Sequence, residues 1–240
     1  MGRRFGLFCV IMVAYLAQMS AQGGKYLRIQ HGEYSWYAGV NLGISSYRGD
    51  EDRYASDGGY LSMLTSGVNL EAGKWVNAQW GIRAQLGSGS LKGWSNGKTK
   101  SQNPGGIVVK PYFQDMSYMD AHVDLVLRPI NILKQSDEVS TLSLQLFGGL
   151  GIANRTKLTC SDAGATVTEN IPALASTSLG GGMFPIIVAG ANVHYKVTEK
   201  LLITGEIKGT AVQDKFDGFA YGRAYEGWGT VSFGVSYIVW

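Results

Sequence analysis

Apolar and polar residues alternate one by one along this chain in segments of about ten residues, and the pattern returns eight times. A period of two is that of an extended strand, whose successive side chains point to opposite faces. Near Trp36–Ser46, residues Trp36, Ala38, Val40, Leu42 and Ile44 alternate with Tyr37, Gly39, Asn41, Gly43 and Ser45. The same alternation recurs near 63–73, 78–88, 118–128, 141–153, 185–196, 201–211 and 229–240. Helical spacing of apolar residues is poor throughout, and beyond the first 21 residues no apolar run approaches the length of a transmembrane helix.

The apolar faces decide which solvent these strands meet. A soluble sandwich or lipocalin-like barrel also alternates, but turns its apolar face inward and carries charge outside. Here one face of all eight segments is almost free of Asp, Glu, Lys and Arg, while the other holds the charges and many of the 34 glycines. An apolar face of that kind suits lipid. The connections also sort by parity. Those after the second, fourth and sixth segments are short or moderate (KWVN, PINILKQSDEVS, VTEK), whereas the others, at about 47–62, 89–115, 154–183 and 212–228, are long and polar. The expected fold is therefore all-β, a transmembrane eight-stranded antiparallel up-and-down β-barrel with four long extracellular loops. Trp36, Trp75, Trp80, Tyr118, Tyr195, Tyr237 and Trp240, near strand ends, are expected in interfacial girdles.

Residues 1–21 read as a secretory signal: Arg3 and Arg4, an apolar stretch from Phe5 to Ala17, then small residues before a cut between Ala21 and Gln22. That leaves a short periplasmic segment, 22–34, and the barrel from 35 to 240. Without Arg3 and Arg4, 21 basic residues become 19 against 18 acidic ones, so the mature chain carries about +1 and has no electrostatic case for nucleic acid. Of the two cysteines, Cys9 lies in the signal and Cys160 in the third long loop, which leaves no pair for an intrachain disulfide.

The stretch NLEAGKWVNAQWGIRAQLGSGSLKGW, from Asn69, resembles the second hairpin of OmpA-like outer-membrane barrels of the Bacteroidetes. YMDAHVDLVLRPINIL, from Tyr118, is similar to their fourth strand, and GANVHYKVTEKLLITGEIKG to the sixth and seventh strands of many small outer-membrane barrels. The resemblance spans roughly Ser35 to Trp240 through short motifs, and the loops match none of it. It implies a Gram-negative, cell-surface membrane protein held in outer-membrane lipid and lipopolysaccharide and inserted by the barrel assembly machinery. Full-length members continue into a periplasmic peptidoglycan-binding domain, whereas the similarity here ends with the eighth strand. Phe233, Val235, Tyr237 and Val239, with Trp240 out of their phase, are expected to act as the C-terminal assembly signal.

Inward charges are the candidate chemistry. Glu71, Asp120, Asp124 and Glu206 oppose Arg83, Arg128, Lys196 and Lys208, four against four, with His122 and His194 as inward imidazoles. In a narrow lumen such charges must be paired or the fold is destabilised. Asp120, His122 and Asp124 on alternate residues also have the makings of a metal or acid/base site. Same-face neighbours on a strand stand about 6.6–6.8 Å apart, so one metal would need further ligands from adjacent strands. An interior ladder with Arg83 is the competing expectation. FGGLGIAN at 147–154 lacks the third glycine and following helix of a dinucleotide loop. Lys92, Lys98, Lys100 and Lys110 in the second long loop are either solvated or meet an anionic surface. The expectation is a non-enzymatic barrel, without cofactor or metal, that presents loops to a ligand or partner. The alternatives are a lipid acyltransferase or deacylase and an accessory subunit of a secretion or uptake complex.

Overall fold

A computed structural model describes residues 36–48, 63–95, 112–134, 141–162, 182–213, 216 and 225–239. The leader with its Ala21–Gln22 cut, the 22–34 segment, Lys98, Lys100, Lys110, most of the long inter-strand segments and Trp240 lie outside the described residues.

Eight strands close into one barrel in sequence order: β1 (Trp36–Arg48), β2 (Thr65–Trp75), β3 (Trp80–Ser95), β4 (Tyr112–Leu127), β5 (Leu142–Asp162), β6 (Gly182–Lys196), β7 (Leu201–Gln213) and β8 (Tyr225–Val239). Every pairing is antiparallel, and β8 returns to β1 over the full length of β1, from Trp36↔Val239 to Arg48↔Gly227. Short turns are made by side chains that stand in for backbone acceptors. Between β2 and β3, Asn77 Oδ1 accepts the N–H groups of Gln79 (2.8 Å) and Trp80 (2.9 Å). Between β6 and β7, Thr198 Oγ1 accepts those of Lys200 (3.3 Å) and Leu201 (3.0 Å). The turn expected after β4 contains a short helix, α1 (Pro129–Lys134). Pro129 supplies a helical φ and has no N–H to leave unpaired at the first helical position.

The register fixes the barrel's dimensions. Stepping across hydrogen-bonded partners from Trp36 leads through Lys74, Ile82, Leu125, Gly148, Ala189, Gly209 and Gly229 to Ser46. One circuit climbs ten residues along β1, from 36 to 46, which is the shear of this barrel. With eight strands at ordinary spacing, that shear sets a tilt of about 40° and a backbone radius of about 8 Å. Each residue then rises about 2.5 Å along the axis, and each strand's partner sits 1.25 residues higher than the last (10/8).

Exposure is inverted relative to a water-soluble protein. Leu42, Leu150 and Phe233 face outward at 67%, 68% and 70% exposure, while Arg83, Asp124 and Glu206 are buried inside. In β5 the outward set runs from Leu142 to Ile152, ten residue steps or about 25 Å of apolar height. That belt matches the lipid-facing band of an outer-membrane barrel, and the chain is an integral outer-membrane protein.

Trp36, Tyr195 and Tyr237 face outward near the periplasmic end of the belt, as girdle residues do. Trp75 and Tyr118 do not; both are buried in the lumen. Their phase explains the difference, since Trp75 follows Glu71 and Gly73 on the inner face and Tyr118 precedes Asp120 and His122. Strands β3, β4, β5, β6 and β8 also run on into segments expected as loops, so Gly89–Ser95, Tyr112–Asp115 and Asn154–Asp162, Cys160 included, are strand.

Leu70, which pairs with Val40 and Leu86 in the middle of the belt, sets a depth test. Leu70→Arg is expected to cost about 2–4 kcal/mol, and Ser66→Arg, nearer the outer rim, at most about 1 kcal/mol. Denaturant titration of folding into lipid vesicles reads both.

Candidate functional site: the lumen

The inner faces of the strands stack side chains in layers, and each layer has its own chemistry. At the periplasmic end lies an aromatic floor. The Arg128 guanidinium sits 3.4 Å over the Trp75 ring, Tyr37 stacks on Trp75 with centroids 6.4 Å apart, and His194 meets the Tyr37 ring edge-on at 6.2 Å. Gln145 Nε2 and His194 Nδ1 are 3.0 Å apart.

Above the floor sits an ion cluster centred on Arg83, which is 0% exposed. Its Nε and Nη2 donate to Asp124 Oδ2 at 2.9 and 2.8 Å, and its Nη1 to Glu71 Oε2 at 3.2 Å and Glu206 Oε2 at 2.5 Å. Asp124 stands directly beside Arg83 in the β3–β4 register, whereas Glu206 comes from β7 across the barrel. The other Glu71 oxygen accepts from Ser236 Oγ at 2.7 Å, and Arg83 also packs 4.1 Å from the Phe147 ring centre.

His122 extends the cluster. Lys208 Nζ can only donate, so the Gln85 atom it meets at 2.5 Å is the amide oxygen. His122 Nε2 lies 3.0 Å from that same oxygen and 3.4 Å from Lys208 Nζ, and Nδ1 lies 2.8 Å from the Asp124 carboxylate. Three carboxylates (Glu71, Asp124, Glu206) thus gather with two cations (Arg83, Lys208) and the His122 imidazole.

A third chemistry closes the extracellular end. Tyr47, Leu91, Met116, Tyr118, Phe216 and Trp228 point inward and are buried together. Phe216, from the segment between β7 and β8, stacks on Trp228 (5.4 Å) and meets Phe184 edge-on (5.4 Å), while its carbonyl accepts from Arg155 Nη1. Outside the same turns stand Arg48, Lys92, Asp115 and Lys157, all exposed. Here the strands have left lipid, and the barrel is packed like a water-soluble one.

The inward residues expected from sequence thus divide among layers. Glu71, Arg83, His122, Asp124, Glu206 and Lys208 come together in the ion cluster. Arg128 and His194 belong to the floor, and Lys196 is only partly buried at the periplasmic edge. Asp120 is buried, yet neither of its carboxylate oxygens hydrogen-bonds to a described residue. Phe233, Val235, Tyr237 and Val239 face lipid along the β8–β1 seam. Among the described residues no three His, Cys, Asp or Glu side chains are arranged to hold a metal. Gln85, Phe147 and Ser236 join the site without having been singled out; their inward phase was visible, but their role as spacers between charges was not. Phe216 carries no signal in an alternating pattern, because it lies between strands.

Removing Arg83 should expose the cost of its three carboxylates. Arg83→Met is expected to lose about 3–5 kcal/mol, and Arg83→Met combined with Glu71→Gln and Glu206→Gln to recover most of it. Unfolding midpoints of the refolded barrels in detergent provide the check.

No protein-family model matches the sequence, and no curated protein is significantly similar to it. Among solved structures, the chain is similar to Ail of Yersinia pestis, in complex with the heparin analogue sucrose octasulfate, at 16% identity and a TM-score of 0.43, over 87% of this chain and 99% of that one. It is similar to the outer membrane protein OprG of Pseudomonas aeruginosa at 12% identity and a TM-score of 0.47, over 87% and 97% of the two chains. The N-terminal β-barrel domain of Pseudomonas aeruginosa OprF aligns at 11% identity and a TM-score of 0.42, over 85% and 97%.

Proposed function

We propose that this chain is a non-enzymatic outer-membrane barrel of the OmpA-like, Bacteroidetes kind, exported by its leader and inserted by the barrel assembly machinery. It stiffens the membrane and presents its extracellular segments to a ligand or partner. The observation that carries this reading is the filled lumen: an aromatic floor, the Arg83 cluster and an apolar cap follow one another along the axis. A barrel of about 8 Å radius packed in this way offers no wide path for solutes.

A lipid acyltransferase or deacylase needs a reactive group at the rim where a lipid can reach it. His122 and His194 are buried, one in the ion cluster and the other against Tyr37 and Gln145. Their role here is structural. Arg48, Lys92 and Lys157 stand exposed just beyond the apolar belt, at the depth of lipopolysaccharide phosphates, with Asp115 beside Lys92 in the register. Cations in that position favour an anionic leaflet, with an attraction that salt weakens.

Cells lacking the protein are expected to become more permeable to detergents. Wild-type protein should restore the barrier, and a variant with Arg48→Ala, Lys92→Ala and Lys157→Ala should restore it only in part. Mass spectra of lipopolysaccharide and phospholipid incubated with the purified barrel should stay unchanged. Any loss or transfer of an acyl chain that His122→Ala abolishes would overturn the non-enzymatic reading.

A further inference from the structure

The most exposed large apolar side chain among the described residues lies outside the belt: Leu133, on α1, at 83%. Its neighbour Ile132 is 42% exposed. A lone exposed leucine says little, so the position of α1 carries the argument. The β4–β5 ladder stops at Leu127↔Leu146, four residues short of Leu142, where β5 begins. With the climb of 1.25 residues per strand, Leu127 lies about 4 Å above the level of Trp36, and Leu142 about 2.5 Å below it. The periplasmic rim of the wall therefore steps down by about 7 Å between β4 and β5.

α1 stands at that step. Arg128 continues the line of β4, with its N–H bonded to the Gln79 carbonyl at 2.7 Å. The chain thus enters α1 at the level of Trp36, Tyr195 and Tyr237, the outward aromatics that mark the periplasmic boundary of the lipid. The helix packs against β5, whose Leu142 and Leu144 carry the apolar belt down to this level. Its backbone suits a place poor in water: Pro129 has no N–H, and the Ile132 N–H donates to the Arg128 carbonyl at 3.1 Å. Its side chains part company. Asn131 is buried, and Leu133, about 200° further round the helix, faces away from it. An apolar face continuous with the belt, at the depth of the girdle, meets the solvent that the belt meets.

We propose that α1 is a membrane foot: Ile132 and Leu133 insert among the lipids at the periplasmic face of the bilayer, between the end of β4 and the start of β5. Side chains of this kind enter the boundary between headgroups and acyl chains, as those of interfacial helices do. There they cover the step in the wall and fix the depth of the β4–β5 rim. The foot is independent of what the extracellular segments bind.

The test uses the whole chain with Cys9→Ser and Cys160→Ser, refolded into phosphatidylcholine vesicles and carrying a nitroxide at Leu133→Cys. Spin relaxation by oxygen, which concentrates in lipid, is compared with relaxation by a water-soluble nickel chelate. The oxygen-to-nickel ratio should lie within about twofold of that at Leu142→Cys in the belt, and at least about fivefold above that at Glu199→Cys in the exposed β6–β7 turn. A ratio at position 133 no higher than that at 199 overturns the foot. Weak relaxation by both reagents overturns it too, since a protein contact such as a second copy then covers Leu133. The label is itself apolar, so a second variant keeps the side chain's own role in view. With the nitroxide at Ile132→Cys, Leu133→Asp should lower the ratio several-fold while strand content stays unchanged. An Ile132 label that keeps its lipid-like ratio beside Asp rules out Leu133 as the anchor.

Discussion

Inside a bilayer no water is present to satisfy a backbone N–H or C=O, so an extended chain can span it only as a closed ladder. Pairing of β1 with β8 closes the ladder here, and most other features follow from how it closes. A climb of ten residues per circuit sets the tilt and the radius, and the radius decides which side chains can meet across the lumen. At about 8 Å from the axis, Arg83 on β3 reaches Glu206 on β7, and Lys208 on β7 reaches Gln85 on β3. The ion cluster therefore ties opposite walls together; neighbouring strands are already held by their backbone.

One barrel meets two solvents, and the sequence is organised by that fact. Within the belt the outer face is apolar and the inner face polar, as lipid outside requires. Past Ser88 on β3 the assignment reverses, with Leu91 buried inside and Lys92 exposed outside. On β4 the same reversal puts Met116 inside and Asp115 outside. Period two persists through the change while its chemical meaning flips. The strands do not end where lipid ends.

That reversal explains what could be read from sequence and what could not. Strand number, direction and inner face were legible, because a one-residue slip would send every belt leucine into the lumen. Strand ends were not: with lipid gone, outward Lys92 and the glycines around it have the composition of a polar loop while the sheet continues. Trp75 and Tyr118 were misplaced for a related reason, since nearness to a strand end suggested a girdle although their phase pointed inward. Within the site, the carboxylates and their basic partners could be named, but not matched. Matching depends on shear, which brings Glu206 rather than Asp120 to Arg83, and shear is a property of the whole circuit that no single strand encodes.

The layered lumen also separates two ways of handling buried charge. Around Arg83, a planar guanidinium spreads its donors over three carboxylates in a manner a lysine ammonium cannot reproduce. Lys208 and His122 meet at the Gln85 amide oxygen, with Lys208 Nζ 3.4 Å from the imidazole Nε2. Two residues further along β4 this economy stops: Asp120 is as buried as its neighbours but lies above the reach of Arg83. The next inward position is Tyr118, already part of the apolar cap with Trp228. A carboxylate at that boundary gains nothing from packing, since Asn or Thr would fill the same space without a charge.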